Sequence, residues 1–156
     1  MSSTRVTMGC AVTAFLSAAA CAFAAPALAD PVPSYDVWDY YLAMPCHGFS
    51  PNLLDLPYNG GIRLQTVRTA PGIVTFMSDS KSIFGYTTDA VIDWHNLDNG
   101  RSGSIPVTYQ HALTGPSGFV IPGIDTGTGR LRVSVTAVNH GFATLDAPTC
   151  SGEETL

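Results

Sequence analysis

Strict alternation of apolar and polar residues is the feature that most limits how this chain can fold. The segment RLRVSVTAV, residues 130–138, places four apolar side chains on one face: Leu131, Val133, Val135 and Ala137. Successive side chains of a β-strand point to opposite faces, so this pattern predicts a strand with one buried face. The segment AVIDWHN, residues 90–96, alternates in the same way and predicts a second such strand, with Trp94 on its apolar side.

Weaker strand patterns continue along the chain, and turn-forming residues separate them. SIPVTY, residues 104–109, aligns Ile105, Val107 and Tyr109, while Pro106 on the opposite face predicts an edge strand or a bulge. Four more strands are predicted at 62–69, 72–79, 117–123 and 141–147. The segments are divided by NGG, APG, DNG, GP and GTG. Seven short strands spaced this regularly predict an all-β fold, an antiparallel sandwich or barrel, and the chain length favours the sandwich.

One segment before these strands has an ambiguous pattern. In SYDVWDYYLAM, residues 34–44, four apolar side chains fall at helical spacing: Val37, Tyr40, Tyr41 and Met44. Its aromatic and β-branched residues suit a strand almost as well. A short N-terminal helix and a strand both remain open.

The first 29 residues have the composition of an export signal. Arg5 is the only charged residue before Asp30, an apolar stretch follows it, and the stretch ends in Ala27-Leu28-Ala29. This pattern predicts a signal peptide, residues 1–29, and a secreted chain starting at Asp30. The alternatives are a lipoprotein anchored at Cys21 and a retained membrane anchor; Pro26 and the alanine run favour cleavage. No transmembrane segment is expected in the mature chain.

Cleavage would remove Cys10 and Cys21 and leave one pair, Cys46 and Cys150. An even pair of cysteines in an oxidising compartment predicts a disulfide. The alternative is a metal or thiol site at Cys46-His47, but two adjacent ligands are fewer than the three that zinc requires. We therefore expect residues 30–150 to form one disulfide-linked domain, followed by a disordered polar tail, residues 151–156.

The charge of the mature chain excludes some partners. It has six basic and twelve acidic residues, with no cluster of Lys and Arg. Nucleic-acid binding requires a basic surface, so this class is excluded, and charge alone would not hold the chain on anionic lipid.

The densest group of reactive side chains lies in DWHNLDNGR, residues 93–101. Asp93 and His95 share a strand face, so an acid–base pair is conceivable, but no nucleophile motif accompanies them. The Asn-Gly step that follows is typical of a hairpin loop. We therefore interpret the stretch as a hairpin with Asp93 and His95 on its solvent face.

Asp125-Thr126-Gly127 resembles the active-site tripeptide of aspartic proteases. Those enzymes need two such carboxylates sharing a proton, and a substantial β-rich body after the motif. Only 29 residues follow Gly127, and Asp, Thr and Gly are also residues that favour turns. We interpret it as a turn, which leaves a small hydrolase using Asp93/His95 or Asp125 as an alternative.

No metal or other cofactor is expected. Neither Asp125 nor Asp79, each with its Ser and Thr neighbours, offers the six to eight oxygens that calcium takes. The four histidines are scattered without a metal-binding spacing: His47, His95, His111 and His140.

An aromatic-rich set remains as the candidate binding site: Tyr35, Trp38, Tyr41, Met44 and Phe49. Such side chains can form an apolar groove for a lipid tail, a sugar or a partner protein. The alternative is that they cover one end or edge of the sandwich and are tied down by the disulfide.

Two motifs together resemble a group of small exported actinobacterial proteins. These combine a V-x-W-x-N-x-x-x-G-x-x-G hairpin with a D-T-G-x-G-R turn before a Val-rich strand. The matching residues here are Val91 or Ile92, Trp94, Asn96, Gly100, Gly103 and 125–130. The resemblance covers about 50 residues and implies an immunoglobulin-like sandwich of about seven strands in a secreted or envelope setting. It carries no assigned reaction, and therefore no catalytic residues.

The sequence as a whole predicts a non-enzymatic binding or interaction module that is secreted or associated with the cell envelope. Its expected partner is a protein or an apolar ligand at the envelope. A small carrier of a lipid-like ligand is the alternative within binding proteins.

Overall fold

Eleven strands form in the part of the chain that the computed structural model describes, residues 37–42, 44 and 46–156. All their pairings are antiparallel. In chain order they are β1 Val37–Tyr41, β2 His47–Gly48, β3 Tyr58–Asn59, β4 Arg63–Val67, β5 Ile73–Ser78, β6 Tyr86–Asn96, β7 Ser102–His111, β8 Phe119–Asp125, β9 Arg130–His140, β10 Thr144–Asp146 and β11 Cys150–Thr155. A strand forms within each of the seven predicted segments, so the all-β prediction is confirmed.

The strands form two main sheets. One has the order β10–β9–β6–β7, with β11 also paired to β9, and the other has the order β1–β4–β5–β8. The short strands β2 and β3 pair separately. Strand β7 lies at the edge of its sheet, which confirms the position predicted from Pro106, because proline cannot donate a ladder hydrogen bond.

The inner faces of the two main sheets meet in one apolar core, which makes the fold a β-sandwich. From β6 and β9 come the predicted alternating residues, including Ile92, Trp94 and Val133, and all are buried. Leu64, Val74 and Phe76 of the other sheet belong to the same core cluster. Burial of these apolar side chains is the main force holding the sheets together.

The predicted hairpin is confirmed by the pairing of β6 with β7, in which Trp94 lies opposite Gly103. The indole packs directly over this glycine: a Cβ added at Gly103 would lie 2.6 Å from Trp94 Nε1. Any larger residue at this position would therefore displace the buried tryptophan.

The C-terminal residues differ from the expectation. Residues 151–156 were predicted to be a disordered tail, but β11 runs from Cys150 to Thr155 along β9, with Ser151 opposite Ser134 and Glu153 opposite Arg132. Glu153 also accepts hydrogen bonds from the Arg132 guanidinium. The tail prediction was wrong because β9 has a free edge beyond β10, and backbone pairing with that edge needs no apolar pattern.

The ambiguous N-terminal segment is a strand where the structure describes it: β1 pairs with β4. The predicted signal peptide, residues 1–29, lies outside the described residues. Within the described part of the chain, no helix is long and apolar enough to cross a membrane.

The predicted disulfide joins Cys46 to Cys150, which are 104 positions apart in the chain and have Cα atoms 5.3 Å apart. Both residues are buried in the core cluster. The bond ties the segment before β2 to the first residue of β11, and therefore to the edge of the larger sheet.

Removal of this disulfide should lower the stability of the sandwich substantially. In the chain-entropy model, opening a loop of about 100 residues costs up to about 4–5 kcal/mol. Urea unfolding of the Cys46→Ala/Cys150→Ala variant should therefore show a much lower midpoint than the oxidised protein. An unchanged midpoint would mean that the crosslink does not constrain the unfolded chain.

Candidate functional site

Three loops meet at one end of the larger sheet, where β6 begins and β9 ends. They are residues 51–56, 82–85 and 141–143. Six large apolar side chains of these loops are exposed, and five of them are at least half exposed: Leu53 (81%), Leu54 (88%), Ile83 (50%), Phe84 (65%) and Phe142 (93%). We call these five residues the apolar crown.

The crown concentrates apolar surface in a small region. Single exposed apolar residues are common, whereas clusters of them mark interaction sites. Leu53, Phe84 and Phe142, one from each loop, also border a shared cleft of about 690 Å³. The three loops therefore form one surface.

A polar side chain beneath the crown joins all three loops. Asn52 donates from its amide nitrogen to Asp55 at 3.0 Å and to the Gly85 carbonyl at 2.9 Å. Its amide oxygen accepts a hydrogen bond from the Phe142 backbone N–H at 2.9 Å. A Cβ at Gly141 would lie 2.4 Å from that oxygen, so only glycine allows this close approach.

The carboxylate of Asp55 is the second junction. It accepts four hydrogen bonds, from the Asn52 amide, the Ser82 hydroxyl and the backbone N–H groups of Leu56 and Ile83. Partial burial alone would raise the pKa of Asp55, but the hydrogen bonds from Ser82, Ile83, Asn52 and Leu56 outweigh it and lower the pKa to about 2. The loops are thus held by an ionised carboxylate over the whole neutral range.

Most of the backbone donors in these loops are used internally. Seven of the twelve N–H groups donate within the loops, between them or to the adjacent Ser50: those of Asn52, Leu56, Ile83, Gly85, Gly141, Phe142 and Ala143. Their hydrogen-bonding capacity is directed inward, while the apolar side chains point outward. What the crown offers to a partner is mainly hydrocarbon and aromatic surface.

Leu54 has a backbone conformation that leucine rarely adopts. Its φ is +60°, in the left-handed region, and it is the only non-glycine residue with positive φ in the described part of the chain. For a residue with a Cβ this costs about 1–2 kcal/mol. A strained backbone that displays an exposed leucine is the kind of outlier that indicates a functional role.

A buried polar cluster lies at the same end of the sheet, behind the crown loops. The ring of His111 stacks on Tyr86 with centroids 3.9 Å apart. Thr88 Oγ1 lies 2.7 Å from His111 Nε2 and 2.6 Å from Asn139 Oδ1. Thr88, His111 and Asn139 are all at most 1% exposed.

The hydrogen bonds of Thr88 indicate which ring nitrogen of His111 carries a hydrogen, and burial keeps the ring neutral. The single hydroxyl hydrogen of Thr88 is donated to Asn139, so His111 Nε2 must carry the hydrogen that Thr88 accepts. His111 Nδ1 has no partner among the described residues. Burial lowers the pKa of His111 to about 4, although the Asp55 carboxylate acts in the opposite direction, so the ring is neutral near pH 7.

The residues considered for catalysis lie elsewhere. Asp93 and His95 are exposed on the outer face of β6, opposite Ser104 and Ser102 of β7. Asp125 lies 2.6 Å from Arg101, and its pKa is lowered mainly by the hydrogen bond from that guanidinium. Among the described residues, no group of three or more His, Cys, Asp or Glu side chains is placed to hold a metal ion.

The Asp-Thr-Gly tripeptide forms part of a loop contact. Thr126 is fully buried, and its hydroxyl donates to the Gly72 carbonyl. Asn96, also fully buried, donates its side-chain amide to the carbonyls of Thr126 and Thr128 and accepts from the loop amides of residues 98 and 99. The motif residues therefore join the β6–β7 hairpin loop to the turn before β9.

The described members of the aromatic set predicted to bind a ligand differ in exposure. Met44 is buried in the core, whereas Trp38 on β1 and Phe49 after β2 are exposed. Tyr35 and the side chain of Tyr41 lie outside what the structure describes. Ligand binding by this set stays a prediction.

Met44 does border a second cleft, of about 700 Å³. Apolar residues of four segments line it, together with the charged side chains of Arg63 and Asp79: Leu42, Met44, Ile62, Met77, Phe119 and Val120. This cleft thus contains one residue of the ligand-binding set predicted from the sequence.

Sequence reasoning missed the crown because it is carried by loops. Its apolar residues have no period-two or helical pattern; they stand between turn-forming residues in PNLLDLP, SIFGY and HGFAT. The available signal was a leucine pair enclosed by Pro51, Asn52, Asp55 and Pro57, since apolar pairs inside turns are not needed to form the turn. His111, Thr88 and Asn139 were also missed as a group, because they come from three different strands.

The chain matches no family model, no curated protein and no solved structure.

The stability of the protein should fall as the pH drops from about 6.5 to about 4. In this range the unfolded chain binds a proton at His111 and the folded chain does not. The contribution of His111 to the unfolding free energy is therefore complete above pH 6.5 and is lost toward pH 4. The unfolding free energy falls by about 3 kcal/mol once His111 of the unfolded chain is fully protonated.

Urea unfolding at a series of pH values measures this loss. His111→Gln should flatten the slope between pH 6.5 and 4, and the exposed control His95→Gln should keep it. The stabilisation that the Asp55 carboxylate provides is lost in a separate pH range, below pH 3.8. An unchanged slope in His111→Gln would show that this group is not the source.

Replacing Asp55 with Ala should loosen the crown loops. Ser82 and the Ile83 amide would lose their acceptor, at a cost of about 1–3 kcal/mol in unfolding free energy. Hydrogen exchange at the Leu56 and Ile83 amides should become at least about tenfold faster. Asp146→Ala, an exposed site on β10, is the control; equal exchange rates in the two variants would contradict the role given to Asp55.

Proposed function

We propose that this protein is an exported, non-enzymatic β-sandwich module that binds its target through the apolar crown. One observation carries the proposal: five large apolar side chains are exposed together on loops that a dedicated polar network holds in place. Exposing them has a cost in solubility that folding alone does not require. A binding role accounts for both the exposure and the network.

The energetics of the crown suit reversible binding. Full burial of one Leu, Ile or Phe side chain is worth about 1.5–3 kcal/mol. Several of them together offset the loss of translational and rotational freedom on association, which is about 4–15 kcal/mol. The network restricts the loops before binding, so little further ordering entropy is lost.

Export is supported by the composition of residues 1–29 and by the disulfide. The envelope or the extracellular medium is therefore the proposed location, with a lipoprotein anchored at Cys21 as the alternative. The immunoglobulin-like assignment and the kinship with small exported actinobacterial proteins belong to the same proposal. They are supported by the two-sheet sandwich and by the motif residues around Trp94 and Asp125.

The non-enzymatic part of the proposal is supported by the surroundings of the candidate catalytic groups. Asp93 and His95 lie on an exposed strand face, and neither borders the crown cleft or the Met44 cleft. Asp125 forms an ion pair with Arg101. A hydrolase would need such groups in a pocket beside the reacting atoms.

A carrier of a small lipid-like ligand is the second candidate. The observation that favours it is the cleft of about 700 Å³ bordered by Met44, Phe119 and Val120, with Arg63 and Asp79 also on its wall. This cleft has a suitable volume for a small ligand. The crown and the cleft use different residues, so substitutions separate the two functions.

Binding of the exported protein to the envelope fraction of its host should depend on the crown. Phe84→Ser/Phe142→Ser removes two exposed rings and should weaken cosedimentation at least about tenfold, because apolar contact area is lost. Leu113→Ser changes an exposed apolar residue outside both sites and is the matched control. Thermal unfolding should be unchanged in both variants.

The carrier function predicts the opposite result. If the protein is a carrier, the crown variant binds like the unmodified protein, and the cleft variant Val120→Ser binds less. Retention of binding by the crown variant would therefore contradict the proposal. Substrate turnover abolished by Asp93→Asn, His95→Ala or Asp125→Asn in a folded protein would contradict its non-enzymatic part.

A further inference from the structure

We propose that the apolar crown inserts into the hydrocarbon region of a neutral, zwitterionic lipid surface. This inference rests on the proposed function, because it takes the crown as the binding surface and names its partner. Four features of the described residues favour lipid over a protein or a second copy of the chain.

The first feature is the chemistry of the side chains. The crown consists of leucine, isoleucine and phenylalanine, which have no hydroxyl, amide or charge to orient a protein partner. Binding energy in protein interfaces is concentrated in Trp, Tyr and Arg, and leucine is under-represented there. Lipid chains require only apolar contact, which all five crown residues provide.

The second feature is the hydrogen bonding of the loop backbone. The hydrocarbon region contains no water, so a donor or acceptor entering it must already be paired. Seven of the twelve N–H groups of the three loops donate within the protein, including those of the crown residues Ile83 and Phe142. The Asp55 carboxylate accepts four hydrogen bonds and is directed toward the loops it joins. These seven donors and the Asp55 carboxylate are therefore already paired before they meet a medium that offers no replacement partners.

The third feature is charge. Asp55 is the only charged residue in 51–56, 82–85 and 141–143, and the chain from Asp30 onward has twelve acidic and six basic residues. Anionic lipid attracts proteins through Lys and Arg clusters next to the inserted residues. The crown has no such cluster, so a neutral surface is the lipid class that it fits.

The fourth feature is the polarity of the opposite end of the sandwich. Strand β6 is eleven residues long, which separates its two ends by about 35 Å. At the far end, the hairpin loop and the turn before β9 carry the ion pairs Asp98–Arg130 and Arg101–Asp125. The crown tips thus suit hydrocarbon, with the ion pair Lys81–Asp79 flanking one of the loops, and the far end suits water, as for a module that stands on a membrane.

Vesicles of pure phosphatidylcholine test the inference with the exported form of the chain. The protein should float with these vesicles, and high salt should not release it, because no charge attraction is involved. Phe84→Ser/Phe142→Ser should lower the partition coefficient at least about a hundredfold, and the control Leu113→Ser should leave it unchanged.

Leu54→Gly separates insertion from a structural role. Glycine adopts positive φ without the leucine's steric penalty. This variant should therefore unfold at the same or a higher temperature, while its partition coefficient falls about tenfold. Lower stability together with unchanged vesicle binding would overturn the role of Leu54 in insertion.

The outcomes distinguish this inference from the proposed function. If the crown variants lose envelope binding but the unmodified protein does not bind phosphatidylcholine, the crown binds a protein and the lipid inference fails alone. Binding that requires phosphatidylglycerol and is released by salt overturns it as well. Dimers in sedimentation that dissociate in the crown variants would assign the crown to a second copy. Envelope binding that is equal in all variants would remove both proposals.

Discussion

The pairing of β6 with β9 is the constraint on which the rest of the structure depends. Ten residue pairs join them, from Thr87 opposite His140 to Asn96 opposite Leu131. The buried residues of both strands face the second sheet, so a shift of one residue would expose the apolar side chains and bury Asp93 and His95. This register also determines what meets at the two ends: the crown loops at one, and the hairpin loop with its ion pairs at the other.

The two ends use polar residues for the same purpose and expose different surfaces. At the hairpin end, Asn96 joins two loops through their backbone carbonyls and amides, and charged side chains cover the contact. At the crown end, Asn52 and Asp55 join three loops in the same manner, but apolar side chains lie outside. Both arrangements hold their loops in the same way, because Asn96, Asn52 and Asp55 form their hydrogen bonds within the protein. Only the second leaves apolar area to be covered by a partner, and this asymmetry is the basis of the proposed function.

Much of the fold was predictable because it depends on local pattern. Leu131, Val133 and Val135 alternate with polar residues, so their strand, its buried face and its place in the core follow from strand geometry. The disulfide followed from the cysteine count once residues 1–29 were set aside. The C-terminal strand was not predictable, since SGEET has no apolar alternation and is held by backbone hydrogen bonds to β9. The candidate site was missed for a related reason: Leu53, Phe84 and Phe142 are 31 and 58 positions apart, and no local pattern connects them.

The amino-acid sequence by itself determined the all-β class, the hairpin with Trp94 on its inner side, the Asp-Thr-Gly turn and the cysteine pair. Each of these depends on the conformational preference or the chemistry of residues that are close in the chain, or on a count. Tertiary structure alone decided that Met44 is buried and Phe142 is exposed, that Asn52 reaches Gly85 and Phe142, and that His111 is neutral between Tyr86 and Thr88. These properties arise from contacts between distant segments, and the exposure and pKa of a side chain are set by the neighbours that folding brings to it.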